Sequence, residues 1–398
     1  MNIAVYHNQP SGGARRAFHG FLTELSRRHH LDLFTLTSAD QAMMHDEDVA
    51  TSVTRLPYAP RPSVRMGLYL NDLRRWKNRE DLERVNATIA HHIDRGGYDV
   101  VLVDACRFTR APYILKYLRT PSAYYCHDGA LRNDERPVPM QSFYDRARRL
   151  WHGPFERRLQ RRIRRDELAL MGAASIILTN SQYTRAGLAD DCDLAATVCS
   201  PGVDLPHLVR RTEGDYVVSV GALEPHKGFD LVIDALGMLP LPRPPLHIIA
   251  NDGNPDVRSR LEKQAGRLGI HLTIRVLIPQ VELDHEYRHA LAFAYGAHRE
   301  PLGLAPLEAM AFGLPVVAVG EGGLTETVDH GHTGYLVNRD PAAFAWRLAQ
   351  LLSSQSLRSG MGQAGRAAIE RMWTWPIRAA ALESALQALA SRQQVMAG

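Results

Sequence analysis

Short apolar runs alternate with stretches of helical periodicity along this chain, and the pattern occurs twice. Ile3–Tyr6, Leu31–Leu36, Val100–Val103, Ser122–Cys126 and Ser175–Thr179 are runs of four to six residues, rich in aliphatic or aromatic side chains. Runs of that kind read as strands buried on both faces of a parallel sheet. Between the first two, Ala14, Ala17, Phe18, Phe21, Leu22 and Leu25 keep the i, i+3, i+4, i+7 spacing of an amphipathic helix. Strand–helix–strand alternation requires crossover connections, which predicts a doubly wound α/β fold.

The pattern restarts after residue 210. Tyr216–Val220, Leu246–Ala250, Ala292–Tyr295 and Val316–Val319 read as strands. Leu231–Leu236, Pro255–Leu268, Leu304–Phe312 and Pro341–Leu352 read as helices. Pro201-Gly202-Val203-Asp204 and the polar stretch 210–215 lie between the halves and mark a linker. The 398 residues therefore divide into an amino-terminal domain over 1–208 and a second over 209–375, with a last helical segment over 376–398. Two such domains facing each other would make a ligand cleft.

Composition narrows the class. The formal net charge of +4 gives no bulk argument for nucleic acid. Cys106, Cys126, Cys192 and Cys199 form no C-x-x-C pair and no zinc spacing, so free thiols in a reducing compartment are expected. Met1–Tyr6 lacks the basic and apolar regions of a signal peptide, and no apolar run approaches membrane-span length. A cytoplasmic location follows. Residues 146–165 hold nine arginines against Glu156 alone, and Arg74-Arg75-Trp76-Lys77 adds a shorter basic cluster. Two readings stay open: a solvated helix face, or peripheral contact with an anionic membrane through Arg146–Arg165, at the inner face.

Four segments carry chemistry. Gly12-Gly13 follows the first strand and opens the first helix, where free amides and partial positive charge suit phosphate. A plain strand-to-helix turn explains two glycines equally well. Lys227 ends the loop after Val218–Val220, in reach of a phosphate or of solvent. His127 follows Ser122–Cys126 at a strand end, where it reads as a hydroxyl ligand or as a structural histidine. The strongest segment is Glu300-Pro301-Leu302-Gly303-Leu304-Ala305-Pro306-Leu307-Glu308. It places a carboxylate before a helix, amides at its N-terminus, and a second carboxylate one turn on. Carboxylates suit vicinal hydroxyls, and Glu308 among apolar neighbours needs a partner.

Together these segments resemble the family-4 retaining glycosyltransferases, which have the GT-B architecture. The resemblance covers nearly the whole chain. It is carried by the two glutamates eight positions apart (Glu300, Glu308), by Ala309–Val317, by Gly322-Gly323 with Glu326, and by Gly331, Gly334 and Leu336-Val337. Gly12-Gly13, Asn180-Ser181, residues 201–204 and Lys227-Gly228 match as well. The resemblance implies transfer of a hexose from a UDP- or GDP-sugar to a glycan, lipid-linked or small-molecule acceptor. The donor phosphate would act as base on the face where the bond breaks. Glu300 would hold sugar hydroxyls and Glu308 the ribose. Gly303, Leu304, Ala305, Gly12, Gly13 and Lys227 would hold the diphosphate. His127 would lie by the reacting carbon, and backbone near Ile278, within 275–280, would meet the base. No metal and no cofactor is expected, because amides and cations neutralise the leaving diphosphate. The final helix, around Ile377–Leu389, would cross back to the first domain.

Two departures stand out. Gly221-Ala222-Leu223 lacks the arginine usual at Ala222, with Arg15, Arg16 or His226 as candidate substitutes, and Asn251-Asp252-Gly253 departs from Gly-x-Gly. A sugar-nucleotide epimerase or hydrolase on the same fold, or a non-catalytic subunit that kept it, are the alternative readings.

Overall fold

The strands form where the apolar runs lie, in two parallel sheets. The computed structural model describes residues 1–10, 12–40, 44–62, 68–128, 158, 160–207, 214–251 and 253–397. It divides into two compact units. The first comprises Met1–Asn180, Thr184–Cys199 and Ala381–Gly398; the second comprises Ser181–Tyr183 and Ser200–Ala380.

The first unit holds β1 (Asn2–Asn8), β2 (His30–Leu36), β3 (Ser52–Leu56), β4 (Val100–Cys106), β5 (Ser122–Cys126), β6 (Ile176–Thr179) and β7 (Thr197–Val198). All pairings are parallel, in the order β3-β2-β1-β4-β5-β6-β7. Val100, Val101, Leu102 and Val103 have no exposed surface, because helices cover both faces. Its helices are α1 (Gly13–Ser26), α2 (Leu68–Arg95), α3 (160–172) and α4 (Gln182–Cys192). Phe18, Phe21, Leu22 and Leu25 form the buried stripe of α1, as their spacing predicts. The strand order reverses between β1 and β4. The loops after these two strands therefore diverge and leave a crevice at the carboxyl edge.

The second unit holds β8 (Val217–Val220), β9 (Leu246–Ala250), β10 (Leu272–Val276), β11 (Ala292–Tyr295), β12 (Val316–Val319) and β13 (Gly334–Val337). They pair in parallel as β10-β9-β8-β11-β12-β13. The connecting helices are α5 (Phe229–Gly237), α6 (Pro255–Leu268), α7 (Gln280–His289), α8 (Leu304–Ala311), α9 (Leu324–Thr327), α10 (Pro341–Ser353) and α11 (Gln355–Met372); α12 (Trp375–Ala397) begins in this unit and belongs to the first from Ala381 on. Phe229, Val232, Ile233 and Leu236 of α5 and Phe344 and Leu348 of α10 fill one core with the sheet. Truncating Phe344, which is fully buried, to alanine would cost about 3–5 kcal/mol. Here the order reverses between β8 and β11. The loops after β8 and β11 carry Lys227 and Glu300, so topology alone brings these two segments together.

Candidate active site

In the second unit the two loops meet backbone to backbone. Gly228 ends the short helical turn Pro225–Lys227 with φ 66°. A Cβ there would stand 1.9 Å from the Gly296 carbonyl oxygen, so no other residue fits. The His298 N–H donates to the His226 carbonyl at 2.7 Å, which ties the loops again. This approach sets Lys227 against Glu300: Lys227 Nζ donates to Glu300 Oε2 at 2.8 Å. The Tyr295 hydroxyl donates to the same oxygen at 3.0 Å. The two charged side chains are 17% and 13% exposed, so the pair is partly desolvated and still open to a ligand. Burial, then the neighbouring Glu300 carboxylate, pushes the Tyr295 hydroxyl well above its ordinary value and keeps it a donor.

Glu300 stands on a constrained loop. Arg299 adopts φ 49°, unusual for a side chain of its size. Arg339 holds that loop from behind: its guanidinium donates to the Gly296 and Ala297 carbonyls, both at 2.8 Å, and to the Glu321 carboxylate. Glu321 also binds His298 Nδ1 at 2.9 Å. Burial would raise the Glu321 carboxyl, but the hydrogen bond and charge of Arg339, with His298, hold it below the ordinary value. On the other side the Gly323 N–H donates to the Glu300 carbonyl at 2.8 Å. Cβ atoms at Gly322 and Gly323 would lie 2.4 Å from the Glu300 and 2.1 Å from the Pro301 carbonyl oxygens. The Gly-Gly pair exists because backbone packs on backbone there.

Gly303, at φ 91°, caps α8 and gives it no side-chain hydrogen bond. Pro306 has no N–H, so Leu304 and Ala305 supply the first-turn donors. Leu304, Ala305 and Glu308 are half-buried while Pro306, Leu307, Ala309 and Met310 are buried. The accessible face of α8 therefore combines two amides with a carboxylate one turn on. Glu308 has the partner its setting demands: the fully buried Tyr287 donates its hydroxyl to Glu308 Oε2 at 3.0 Å. Ile278 follows Leu277, which takes φ 54°, and it packs on the same apolar cluster as Leu304 and Ala305. Ala222 is half-buried and its carbonyl accepts the Glu224 N–H at 2.7 Å, which turns the loop toward Lys227.

The structure thus brings Lys227, Glu300, Gly303, Leu304, Ala305 and Glu308 onto the two switch-point loops and the helix after them. Gly12, Gly13 and His127 belong to the first unit. Gly12 caps α1 without a side-chain bond. His127 Nε2 bonds Asp104 Oδ1 at 2.7 Å, and its carbonyl accepts from Asn180 Nδ2 at 2.8 Å. Arg15 does not serve as a phosphate ligand. It is 1% exposed and its guanidinium pairs with the buried Asp46, which also binds His7 Nε2. The i+3/i+4 stripe of α1 turns Arg15 inward beside Phe18, which the charge of the residue concealed. Asp252 and Arg146–Arg157 lie outside the described residues. Arg158, Arg161, Arg162 and Arg165 are exposed, and Arg162 lies over the Trp76 ring at 4.5 Å. Among the described residues no group of three His, Cys, Asp or Glu is placed to hold a metal ion. No helix among them is long and apolar enough to cross a membrane.

Tyr287, Tyr295, Arg339 and Asp104 were not singled out from sequence. For Asp104 a signal existed, since an acid inside Val100–Cys106 must find a partner. Tyr295 ends an apolar strand and read as core.

Fold and site together define a two-unit α/β protein of the GT-B glycosyltransferase class. The family model "Glycosyltransferase Family 4" matches residues 11–206, and "Glycosyl transferases group 1" matches residues 205–368. The chain belongs to this glycosyltransferase family. A D-inositol 3-phosphate glycosyltransferase of Frankia alni is 38% identical over 197 residues, 43% of this chain and 48% of the relative. A GDP-mannose-dependent alpha-(1-6)-phosphatidylinositol monomannoside mannosyltransferase of Mycolicibacterium smegmatis is 32% identical over 258 residues, 58% of this chain and 65% of the relative. The matches thus span about half to two thirds of these relatives' lengths. Among solved structures, sucrose-phosphate synthase of Thermosynechococcus elongatus superposes over 100% of both chains with a TM-score of 0.74 at 17% identity. Anabaena Alr3699/HepE, in complex with UDP and glucose, covers 97% of this chain and 99% of its own, with a TM-score of 0.70 at 19% identity. At such identities these two support the fold.

Proposed function

We propose that this protein transfers a hexose, with retention, from a nucleoside-diphosphate sugar to a hydroxyl of a glycan, lipid-linked or small-molecule acceptor. The observation that carries the reading is Lys227 Nζ against Glu300 Oε2 at 2.8 Å, beside the uncapped N-terminus of α8. A cation, two free amides and two carboxylates within one unit are complementary to a sugar diphosphate. The diphosphate takes Lys227 and the Leu304 and Ala305 amides. The sugar hydroxyls take Glu300 and the ribose diol takes Glu308.

The protein supplies no nucleophile in this scheme. The bond from the anomeric carbon to the phosphate oxygen breaks, the acceptor oxygen bonds the same carbon on the same face, and the acceptor proton passes to the departing phosphate. Lys227 and the α8 amides stabilise the charge that develops on that phosphate. Within the first unit, Gly12-Gly13 offers amides suited to a phosphate and His127 a ring suited to a sugar hydroxyl. UDP and GDP are both proposed as donor nucleotides: the mannosyltransferase relative is named for GDP-mannose, and the Anabaena structure for its UDP and glucose. Two relatives are named for inositol phosphate and phosphatidylinositol mannoside acceptors, which favours a polyol or lipid-linked acceptor. Exposed Leu70, Leu73 and Trp76 on α2, with exposed Arg162 over the Trp76 ring, support peripheral contact with an anionic membrane.

A thermal-shift panel of UDP- and GDP-sugars tests the donor reading. At least one should raise the melting temperature of the wild-type protein, by more than its nucleoside monophosphate does. No stabilisation by any member would refute it.

A further inference from the structure

We infer that Asp104 is a positioning residue that fixes the tautomer of His127, so that His127 Nδ1 accepts a hydrogen bond from a neutral hydroxyl and rejects an anion. The inference rests on the proposed sugar-transfer reading for its function, but not for its geometry.

Asp104 lies at the carboxyl end of β4 and His127 just past β5, adjacent parallel strands in which Asp104 is paired with Tyr125. Asp104 is fully buried. Its Oδ1 accepts twice, from the Ala105 N–H at 2.8 Å and from His127 Nε2 at 2.7 Å. A carboxylate is an acceptor, so the proton sits on Nε2. In the neutral imidazole Nδ1 is then a lone pair. Nδ1 has no partner among the described residues, and the side chain is 14% exposed. The ring cannot turn freely. Its carbonyl is held by Asn180, and the Tyr125 ring packs on it with centroids 4.8 Å apart.

Other charges around the ring do not reverse this assignment. His7 lies on β1, where burial lowers its pKa and favours the neutral form. Asp128 faces Arg110 at 3.9 Å and is exposed. Asp104 is thus the charged group in contact with the imidazole. Among the described residues its Oδ2 is buried without a partner, a cost that a purely structural acid would not need to carry. A lone pair facing the ligand selects a hydroxyl donor. A phosphate or carboxylate at that point would meet lone pair with lone pair. His127 therefore reads the sugar, and the diphosphate must be held elsewhere.

Nitrogen-15 chemical shifts of the His127 ring give the test without any reference to turnover. Above the pH at which the ring titrates, wild-type protein should show a protonated Nε2 and an unprotonated Nδ1. Asp104→Asn should keep that tautomer, because two N–H groups converge on the Oδ1 position and turn the amide oxygen toward them. Asp104→Leu, close in volume, should lose the preference and lower kcat/KM about a hundredfold with a fall mainly in kcat. The Asn variant should recover most of it. A wild-type ring protonated on Nδ1, or an unchanged tautomer in the Asp104→Leu variant, would overturn the inference. The expected tautomer in a protein that transfers no sugar would leave Asp104 as its determinant and refute the transferase reading instead. Should Asp104→Leu fail to fold, the wild-type spectrum alone decides the tautomer.

Discussion

Replacing Glu300 by glutamine should uncouple two properties that usually fall together. In the second unit Glu300 holds Lys227, at 2.8 Å, in a setting where both side chains are mostly covered. In the proposed scheme a nucleoside diphosphate draws Lys227 away from that carboxylate before the ammonium serves phosphate. At 2.8 Å the gross attraction is about 6 kcal/mol with an effective dielectric constant of about 20. Desolvation offsets most of it, and a charge-assisted hydrogen bond of this kind is worth about 1–2 kcal/mol net. Glutamine keeps the shape and its amide oxygen can still accept from Tyr295, but it removes the charge that holds the ammonium. Free UDP or GDP should therefore bind the glutamine variant about 5- to 30-fold more tightly than the wild type. Sugar transfer should meanwhile drop by about two orders of magnitude or more, because in the proposed scheme the sugar hydroxyls lose their charged acceptor. Calorimetric titration with the nucleoside diphosphate, beside a transfer assay, reads both numbers. Weaker nucleotide binding in the variant would refute the competition between ligand and ion pair.

Three further outcomes follow from the same geometry. Lys227→Ala should weaken nucleoside diphosphate binding about 5- to 30-fold, the worth of one charge-assisted hydrogen bond at about 1–2 kcal/mol, measured by the same titration. Gly322→Ala should destabilise the fold by more than about 1 kcal/mol and abolish transfer; φ is 63° and the added Cβ would lie 2.4 Å from the Glu300 carbonyl, a clash that thermal unfolding and activity would both register. Arg339→Ala should lower both stability and kcat by loosening the Gly296–Glu300 loop, and it should flatten the acid side of the stability profile. The sign is set by Glu321, whose carboxyl is depressed in the folded protein. Its contribution is present above the ordinary glutamate pKa of about 4.3 and is lost as pH falls through the depressed value, so the wild type should lose more stability than the variant below pH of about 4.3.

Sequence made the fold legible where strands are buried on both faces. Val100–Val103, Ala292–Tyr295 and Val316–Val319 carry their burial in their composition. It failed at edges and at polar helices. β3 (SVTRL) and β10 (LTIRV) are half-exposed edge strands with mixed composition, and β13 is a four-residue edge strand. The 28 residues of α2 include Asn71-Asp72 and Arg79-Glu80-Asp81, so no apolar stripe announces the helix. At the site, Glu300, Glu308 and Lys227 were readable because they sit at helix starts beside glycines. Their partners were not. Tyr287 comes from another helix, Tyr295 from the end of a strand, and Arg339 from beyond β13, and only the strand order brings them to the glutamates. Arg15 shows the converse: its charge advertised a ligand site, yet helical periodicity buried it with Asp46.

Retaining transfer centred on Glu300 and Lys227 is tested most directly by a proton NMR time course. The wild-type protein is followed with an α-linked nucleoside-diphosphate hexose and a polyol acceptor. The anomeric signal of the α-product should be the first to appear, and it should be absent in Glu300→Ala. A β-configured first product, or equal product formation by Glu300→Ala, would contradict retaining transfer at this site.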